Sequence, residues 1–92
     1  MADAVVSPDV VARYAADAAR EVDGVAGIVE GVRKGIRVED GEIELHLALR
    51  WGVSIPEVGS AVQARVADYL ERMVDSRPAA VNVVVEEVDG PA

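Results

Sequence analysis

The chain has 92 residues, a formal net charge of −8 and no cysteine. This length predicts one domain with a single core. The charge argues against binding to nucleic acid or to an anionic lipid surface, because both attract clustered Lys and Arg. The lack of cysteine excludes disulfides, thiolate catalysis and cysteine-ligated metal sites.

Hydrophobic residues make up 51% of the chain, but they are mostly Ala and Val, with no Phe and one Trp. A core of such small side chains leaves little room for a cavity with large apolar walls, which argues against an enzyme. The start of the sequence has neither the basic nor the apolar segment of a secretory signal. No run approaches the ~18 apolar residues that span a bilayer. We therefore expect a cytoplasmic protein that does not insert into the membrane.

The first predicted element is a helix that begins at Ser7-Pro8-Asp9. Ser7 can cap the free N–H groups, and Asp9 complements the positive end of the helix dipole. Gly24 marks its end. Apolar residues recur at helical spacing and predict the buried stripe, which comprises Val11, Tyr14, Ala15, Ala18, Ala19 and Val22.

Three strands are predicted next. Val25–Val29 and Ile36–Glu39 are short apolar runs, and Asp40-Gly41 is a typical two-residue hairpin turn. The following strand alternates strictly, which predicts one buried and one solvated face. Its predicted buried residues are Ile43, Leu45, Leu47, Leu49 and Trp51. Such alternation places helices on only one side of the sheet.

A second helix is predicted from Pro56-Glu57 to Ser76-Arg77-Pro78. Its apolar stripe consists of Val58, Val62, Val66, Tyr69, Leu70 and Met73. A last strand begins near Val81, and the acidic segment Glu86–Ala92 is expected to fray. The predicted fold is therefore α+β, with two helices packed on one face of a mixed sheet of about four strands in the order α-β-β-β-α-β. It forms a single domain over residues 1–92, with its core at about 7–88.

Two sets of titratable residues are catalytic candidates. His46 is the only histidine, so an imidazole general base or metal ligand would have to use it. Glu44 and Glu86 could form a carboxylate pair across the sheet, but catalysis would require an apolar pocket to separate their pKa values. We interpret His46 as a solvated sheet residue and the glutamates as partners of Arg37 and Arg50. No catalytic, cofactor-binding or metal-binding residue is predicted.

The segment Gly31–Gly35 supports an alternative function. Its two glycines bracket Arg33 and Lys34, with Arg37 nearby, which has some likeness to the glycine loop of K-homology RNA-binding domains. The spacing is G-x-x-x-G instead of G-x-x-G, the segment joins two strands, and the chain is acidic. A basic hairpin tip is the simpler interpretation, and a small RNA-binding module remains the alternative.

The uncovered face of the predicted sheet is the candidate interaction surface. A small apolar centre rimmed by mixed charges is typical of a modest protein interface. Scattered apolar surface residues are equally common, and both interpretations remain open. The outer strands of the sheet could also pair with another chain. The candidate residues are Ile28, Arg33, Lys34, Arg37, Ala48, Arg50 and Val84.

Six segments, in order along the chain, resemble the bacterial alkaline shock (envelope stress response) protein family. They are Ser7-Pro8-Asp9-Val10-Val11, Glu21-Val22-Asp23-Gly24-Val25-Ala26-Gly27, Lys34-Gly35-Ile36, Trp51-Gly52-Val53-Ser54-Ile55-Pro56-Glu57-Val58, Val62-Gln63, and Val81-Asn82-Val83-Val84-Val85. Each segment is weak evidence alone, but six in register are fairly specific.

The resemblance implies a compact α+β domain without enzymatic activity or cofactor. It also implies a cytoplasmic protein that self-associates and, in some members, gathers beneath the membrane by binding a membrane-anchored protein. Two departures from the family pattern stand out. The strand ahead of the first helix is reduced to Val5-Val6, and Asp75-Ser76-Arg77-Pro78 replaces the glycine after the second helix.

Overall fold

The structure is a computed structural model, and it describes residues 7–30 and 35–90. The helices and strands follow in the predicted order α-β-β-β-α-β. They are α1 (Pro8–Arg20), β1 (Val25–Ile28), β2 (Ile36–Glu39), β3 (Glu42–Arg50), α2 (Ile55–Val74) and β4 (Ala80–Asp89).

Helix α1 begins where the sequence predicts. The Ser7 side chain accepts a hydrogen bond from the backbone N–H of Val10 at 3.3 Å, and Pro8 occupies the first turn. Proline is tolerated there because the first N–H groups of a helix have no partner within it. The predicted stripe packs into the core, and its fully buried members are Ala15, Ala18 and Ala19.

Helix α2 begins one residue earlier than predicted. Ser54 is its N-cap, accepting a hydrogen bond from the N–H of Glu57 at 3.4 Å, so Ile55 lies in the first turn and is not the cap. At the other end Asp75 takes the left-handed conformation, with φ 55° and ψ 38°. Glycine is the residue that usually adopts this conformation at a helix end. Asp75 therefore ends the helix in the conformation that glycine usually supplies.

Neither helix in the described part of the chain is long and apolar enough to cross a membrane. The longer one, α2, has 20 residues, but charged side chains interrupt its apolar stretches. A spanning helix needs about 20 consecutive, predominantly apolar residues.

The strand β3 lies at the centre of a mixed sheet. On one edge it pairs in parallel with β4 along its full length, from Glu42 with Ala80 to Arg50 with Asp89. On the other edge it pairs antiparallel with both β1 and β2. The mixed four-stranded sheet that the sequence predicts is confirmed.

The strands β1 and β2 share one edge of β3. The backbone N–H of His46 donates to the carbonyl of Gly35 at 2.8 Å, and its carbonyl accepts from the N–H of Val29 at 2.9 Å. Both backbone groups of one strand residue point to the same side of the strand. The predicted hairpin joins β2 to β3 through Asp40 and Gly41, which have φ of 52° and 78°. These positive values are what a tight two-residue turn requires.

Both helices pack on one face of the sheet and on each other. α1 contacts β1 and β2, α2 contacts β4, and the rings of Tyr14 and Tyr69 meet edge to face with centroids 5.9 Å apart. The hydrophobic core lies between the helices and this face of the sheet. The largest fully buried side chains are Ile43, Leu45, Leu47, Leu49, Leu70, Val62 and Val66.

Trp51 is the clearest error in the predicted core. It is 64% exposed, because β3 ends at Arg50 and the chain turns away from the sheet before the alternation can continue. Gly52, with φ of 89°, lies in that turn. The sequence signal for the turn was present, since a glycine directly follows the tryptophan.

Two further predictions were wrong at the ends of elements. Met73 is 48% exposed, and Val74 packs against the core in its place, one turn beyond the buried Leu70. The acidic segment does not fray at Glu86, because β4 stays paired with β3 as far as Asp89. Residues 91–92 lie outside the described residues.

Candidate functional site

Three titratable side chains meet on the face of the sheet that the helices leave uncovered. The ring of His46 lies between two carboxylates. Its Nε2 is 2.7 Å from Oε2 of Glu44, and its Nδ1 is 2.6 Å from Oε2 of Glu86. Distances this short are typical of hydrogen bonds with ionised partners. We call these three residues the His46 cluster.

The cluster is more buried than the sequence suggests. The side chain of His46 is 11% exposed, that of Glu86 22% and that of Glu44 35%. The interpretation of His46 as a solvated sheet residue is therefore wrong. The glutamates also differ from the prediction, because they bind the histidine, whereas Arg37 forms its ion pair with Glu39 at 3.5 Å.

The hydrogen bond to Glu86 and then that to Glu44 raise the pKa of His46 above its ordinary value of 6.5. Burial acts in the opposite direction but is outweighed. Hydrogen bonds from the charged form of a group to ionised acceptors favour that charged form. The imidazolium can donate from both ring nitrogens at once, so the protonated state satisfies both carboxylates.

The local backbone explains how the three residues meet. Glu44 and His46 are two positions apart on β3, so they point to the same face. On β4 the register changes between the pairs Leu47–Val85 and Ala48–Glu87, which leaves Glu86 as an extra residue. An irregularity of this kind bends the strand locally. Glu86 lies on the uncovered face, as the predicted pairing of Glu44 with Glu86 across the sheet requires, and its carboxylate reaches His46. The sequence pattern has no signal for the extra residue itself.

The geometry limits what the cluster can do chemically. Both ring nitrogens of His46 are already hydrogen bonded, whereas a general base needs a ring nitrogen that faces its substrate. The carboxylates lie at opposite ends of the ring and so do not converge with it on one point. Within residues 7–30 and 35–90, no group of three or more His, Asp or Glu side chains is arranged to hold a metal ion. The cluster links β3 to β4 through charge.

Apart from Ile28, the candidate interaction residues fall into three groups. Ala48 and Val84 lie on the uncovered face as expected; Ala48 is buried by its neighbours and Val84 is 37% exposed. Arg37 and Arg50 are exposed. Arg33 and Lys34, on which the RNA-binding alternative depends, lie outside the described residues, as do Gly31 and Val32.

The prediction that Ile28 lies on the uncovered face is wrong. It pairs with Leu47 and packs against the core. The reason is a shift of register in β1 between Val25 and Gly27, which changes the side to which the following residue points. A one-residue shift moves a side chain to the opposite face of a sheet.

Sequence reasoning missed an apolar surface at the end of the sheet. Exposed Trp51, Ile55 and Val88 line one hollow together with Arg50, Gly52 and Val53. We call it the Trp51 hollow. The backbone N–H of Trp51 donates to the carbonyl of Asp89, which ties this position to the end of β4. Aromatic residues in such positions often dominate the binding energy of interfaces.

Comparison with known proteins connects this fold to a family. Residues 1–90 match the family model described as "Asp23 family, cell envelope-related function", in which Asp23 is a family name and not the residue. The chain is 33% identical over 95 residues to the uncharacterized protein YqhY of Bacillus subtilis (strain 168), covering 85% of this chain and 70% of YqhY.

Several solved structures share the fold. A double variant of MamM CTD superposes with a TM-score of 0.65 at 19% identity, covering 91% of this chain and 86% of that one. A single variant of MamM CTD gives 0.64 at 20% identity, covering 94% and 100%. At this level of identity the likeness concerns the fold alone. The match to the family model identifies the chain as a member of the alkaline shock protein (Asp23) family, whose described function is related to the cell envelope.

Proposed function

We propose that the protein is a non-enzymatic scaffold of the cell-envelope stress response, which acts by binding other proteins and by associating with itself. Its place is the cytoplasm, where it reaches the membrane by binding a membrane-anchored protein. The family supports the connection to the envelope. The proposal that it binds proteins and associates with itself depends on the exposed surfaces of the fold.

The observation that carries the proposal is the uncovered face of the sheet. Among residues 7–30 and 35–90, both helices lie on the opposite face. The uncovered face presents Val84 beside the half-buried His46 cluster, with Arg37 and Arg50 exposed around it. A polar rim around a small apolar centre is the usual anatomy of a transient interface.

The state of the only histidine supports binding over catalysis. Its ring nitrogens are both held by carboxylates that belong to the same chain, at 2.6 and 2.7 Å. A group bonded in this way has little capacity to exchange a proton with a substrate. The Trp51 hollow adds apolar area suited to a partner's side chain.

Light scattering of the purified protein across a range of concentrations, combined with capture of partners from its own cytosol and membranes, tests the proposal. The wild type should associate with itself or retain a membrane protein. Val84→Arg, on the uncovered face, should weaken both. Ala64→Arg, which places the same charge on an exposed position of α2, is the matched control and should not. A strict monomer without any partner would contradict the proposal.

A further inference from the structure

The outer edge of β4 is open to another strand. In the described part of the chain β4 has one strand neighbour, β3. The side-chain amide of Gln63 donates to the carbonyl of Val81 at 2.9 Å, so this carbonyl points away from β3. Backbone groups alternate in direction along a strand. The N–H and carbonyl groups of Val83 and Val85 therefore point outward as well, where they can pair with an added strand.

A shallow groove runs between this edge and α2. Its floor is formed by Val83 and Val85, and its wall by Ile55, Pro56, Gly59, Ser60 and Gln63. Through Ile55 the groove continues into the Trp51 hollow. A partner strand lying along the edge would thus meet a binding site for a large apolar side chain at one end.

Gly59 lies in the wall of this groove and has no side chain that would fill it. Glycine inside a helix costs about 1 kcal/mol relative to alanine. A Cβ at this position would meet no atom within 4 Å, so the fold does not need glycine there for close packing. The open space beside α2 is the kind of space that an approaching backbone requires.

The negative charge of β4 determines which kind of partner strand its outer edge favours. No Lys or Arg occurs from Pro78 to Ala92, whereas Glu86, Glu87 and Asp89 lie on β4. Arg50 faces Asp89 across the ladder, and His46 is hydrogen bonded to Glu86; both belong to β3, on the inner side of β4. A second copy of this chain would bring its own acidic strand to the edge, and like charges on neighbouring strands destabilise their pairing. A basic segment is favoured.

We propose that the outer edge of β4 binds an extended segment of a partner protein as an added strand, in which Lys or Arg alternates with apolar residues. The inference rests on the proposed function, since it names the chemistry of the partner and the mode of binding. Backbone hydrogen bonds supply the pairing, alternate apolar side chains fill the groove, and the bases face the acids of β4.

The test uses three octapeptides as probes: one alternating Lys and Val, one alternating Glu and Val, and the Lys/Val peptide with alternate backbone nitrogens methylated. Nuclear magnetic resonance of the isotope-labelled full chain reports affinity and location. The Lys/Val peptide should shift the amide signals of Val83 and Val85 and slow their hydrogen exchange. The other two peptides should bind at least about tenfold more weakly, equivalent to about 1.4 kcal/mol.

Two variants distinguish the loss of binding in the groove from any other effect of adding a leucine side chain to α2. Gly59→Leu fills the groove and improves helix propensity, so it should stay folded while losing about tenfold in affinity for the Lys/Val peptide. Ala61→Leu adds the same side chain on another, exposed face of α2 and should bind like the wild type.

Four outcomes would overturn the inference. The first two are binding of the Glu/Val peptide, or of the methylated peptide, with the same affinity as the Lys/Val peptide. The third is a set of peptide-induced shifts at His46 and Val84 instead of at the outer edge of β4. The fourth is dimerisation of the chain itself through this edge. The last two would leave the scaffold proposal standing. Failure of the scaffold proposal is recognised separately, by the absence of both self-association and captured partners.

Discussion

On the covered face of β3, the side chains packed beneath the helices are almost fully buried; they are Ile43, Leu45, Leu47 and Leu49. On the opposite face, the same strand carries Glu44, His46 and Ala48. The His46 side chain is only 11% exposed although no layer of the described chain lies over it. On the covered face the side chains are buried by the layer of helices. On the uncovered face His46 is buried by neighbouring side chains of the sheet itself.

This difference implies that the two faces respond to different perturbations. The covered face depends on apolar area removed from water, which changes little with pH. The uncovered face depends on charge and hydrogen bonds, which change with protonation. Four experiments test this contrast, in order of decreasing effect.

Leu47→Ala should have the largest effect. The side chain is fully buried beneath the helices, and its truncation leaves a cavity in a core with few large residues. We expect the free energy of unfolding to fall by about 3 kcal/mol. Urea denaturation at neutral pH measures this loss. A loss below about 1 kcal/mol would show that the helix layer is loosely packed.

Removal of one carboxylate from the His46 cluster should have an intermediate effect, expressed in the pKa of His46. Glu86→Gln should lower that pKa more than Glu44→Gln, because the bond to Glu86 makes the larger contribution. Titration of the ring by nuclear magnetic resonance measures both values. Glu39→Gln is the control, since Glu39 pairs with Arg37 on β2 and should leave the histidine unchanged. The reverse order of effects would contradict the assigned geometry.

Stability should depend on pH through the same histidine. The folded-state pKa lies above the unfolded value of 6.5, so the stabilisation is complete below that pH and is lost as the pH rises through the folded pKa. Each unit of difference corresponds to about 1.4 kcal/mol.

The comparison of wild type with His46→Gln isolates this effect. Their difference in free energy of unfolding should shrink as the pH rises from about 6 to about 9. Urea titrations at several pH values supply the measurement. A difference that is constant over this range would mean that the cluster does not stabilise the fold by charge.

Val84→Ala should have the smallest effect on stability, below about 0.5 kcal/mol. Val84 lies opposite His46 in the ladder but is 37% exposed on the uncovered face. The same denaturation experiment as for Leu47→Ala provides the direct comparison. A loss as large as that of Leu47→Ala would indicate that this face is covered in the folded protein.

The sequence predicts most of the fold because its patterns are local. Ser7-Pro8 and Asp40-Gly41 mark turns and caps by the chemistry of their own residues. The alternation from Ile43 to Leu49 fixes which face of β3 is buried, and this was confirmed. Helical spacing identifies the buried stripes of both helices apart from Met73.

The candidate site is less predictable because it depends on irregularities of pairing. The sequence pattern assigns Ile28 to the wrong face, because the register shift in β1 has no periodic signal. Alternation does assign Glu86 to the correct face, but it does not show that the carboxylate bonds to His46 and not to a neighbouring base. The sequence identifies all three members of the His46 cluster as titratable candidates, but their mutual hydrogen bonds follow only from the three-dimensional register.

Val29 and Gly35 lie on either side of residues 30–34, and both are hydrogen bonded to the backbone of His46. An insertion in this segment can therefore lengthen the chain without displacing any strand. The entropic cost of closing a longer segment grows slowly, by about 0.6 kcal/mol for each doubling. This position is thus a practical one for introducing an epitope or a fluorescent reporter.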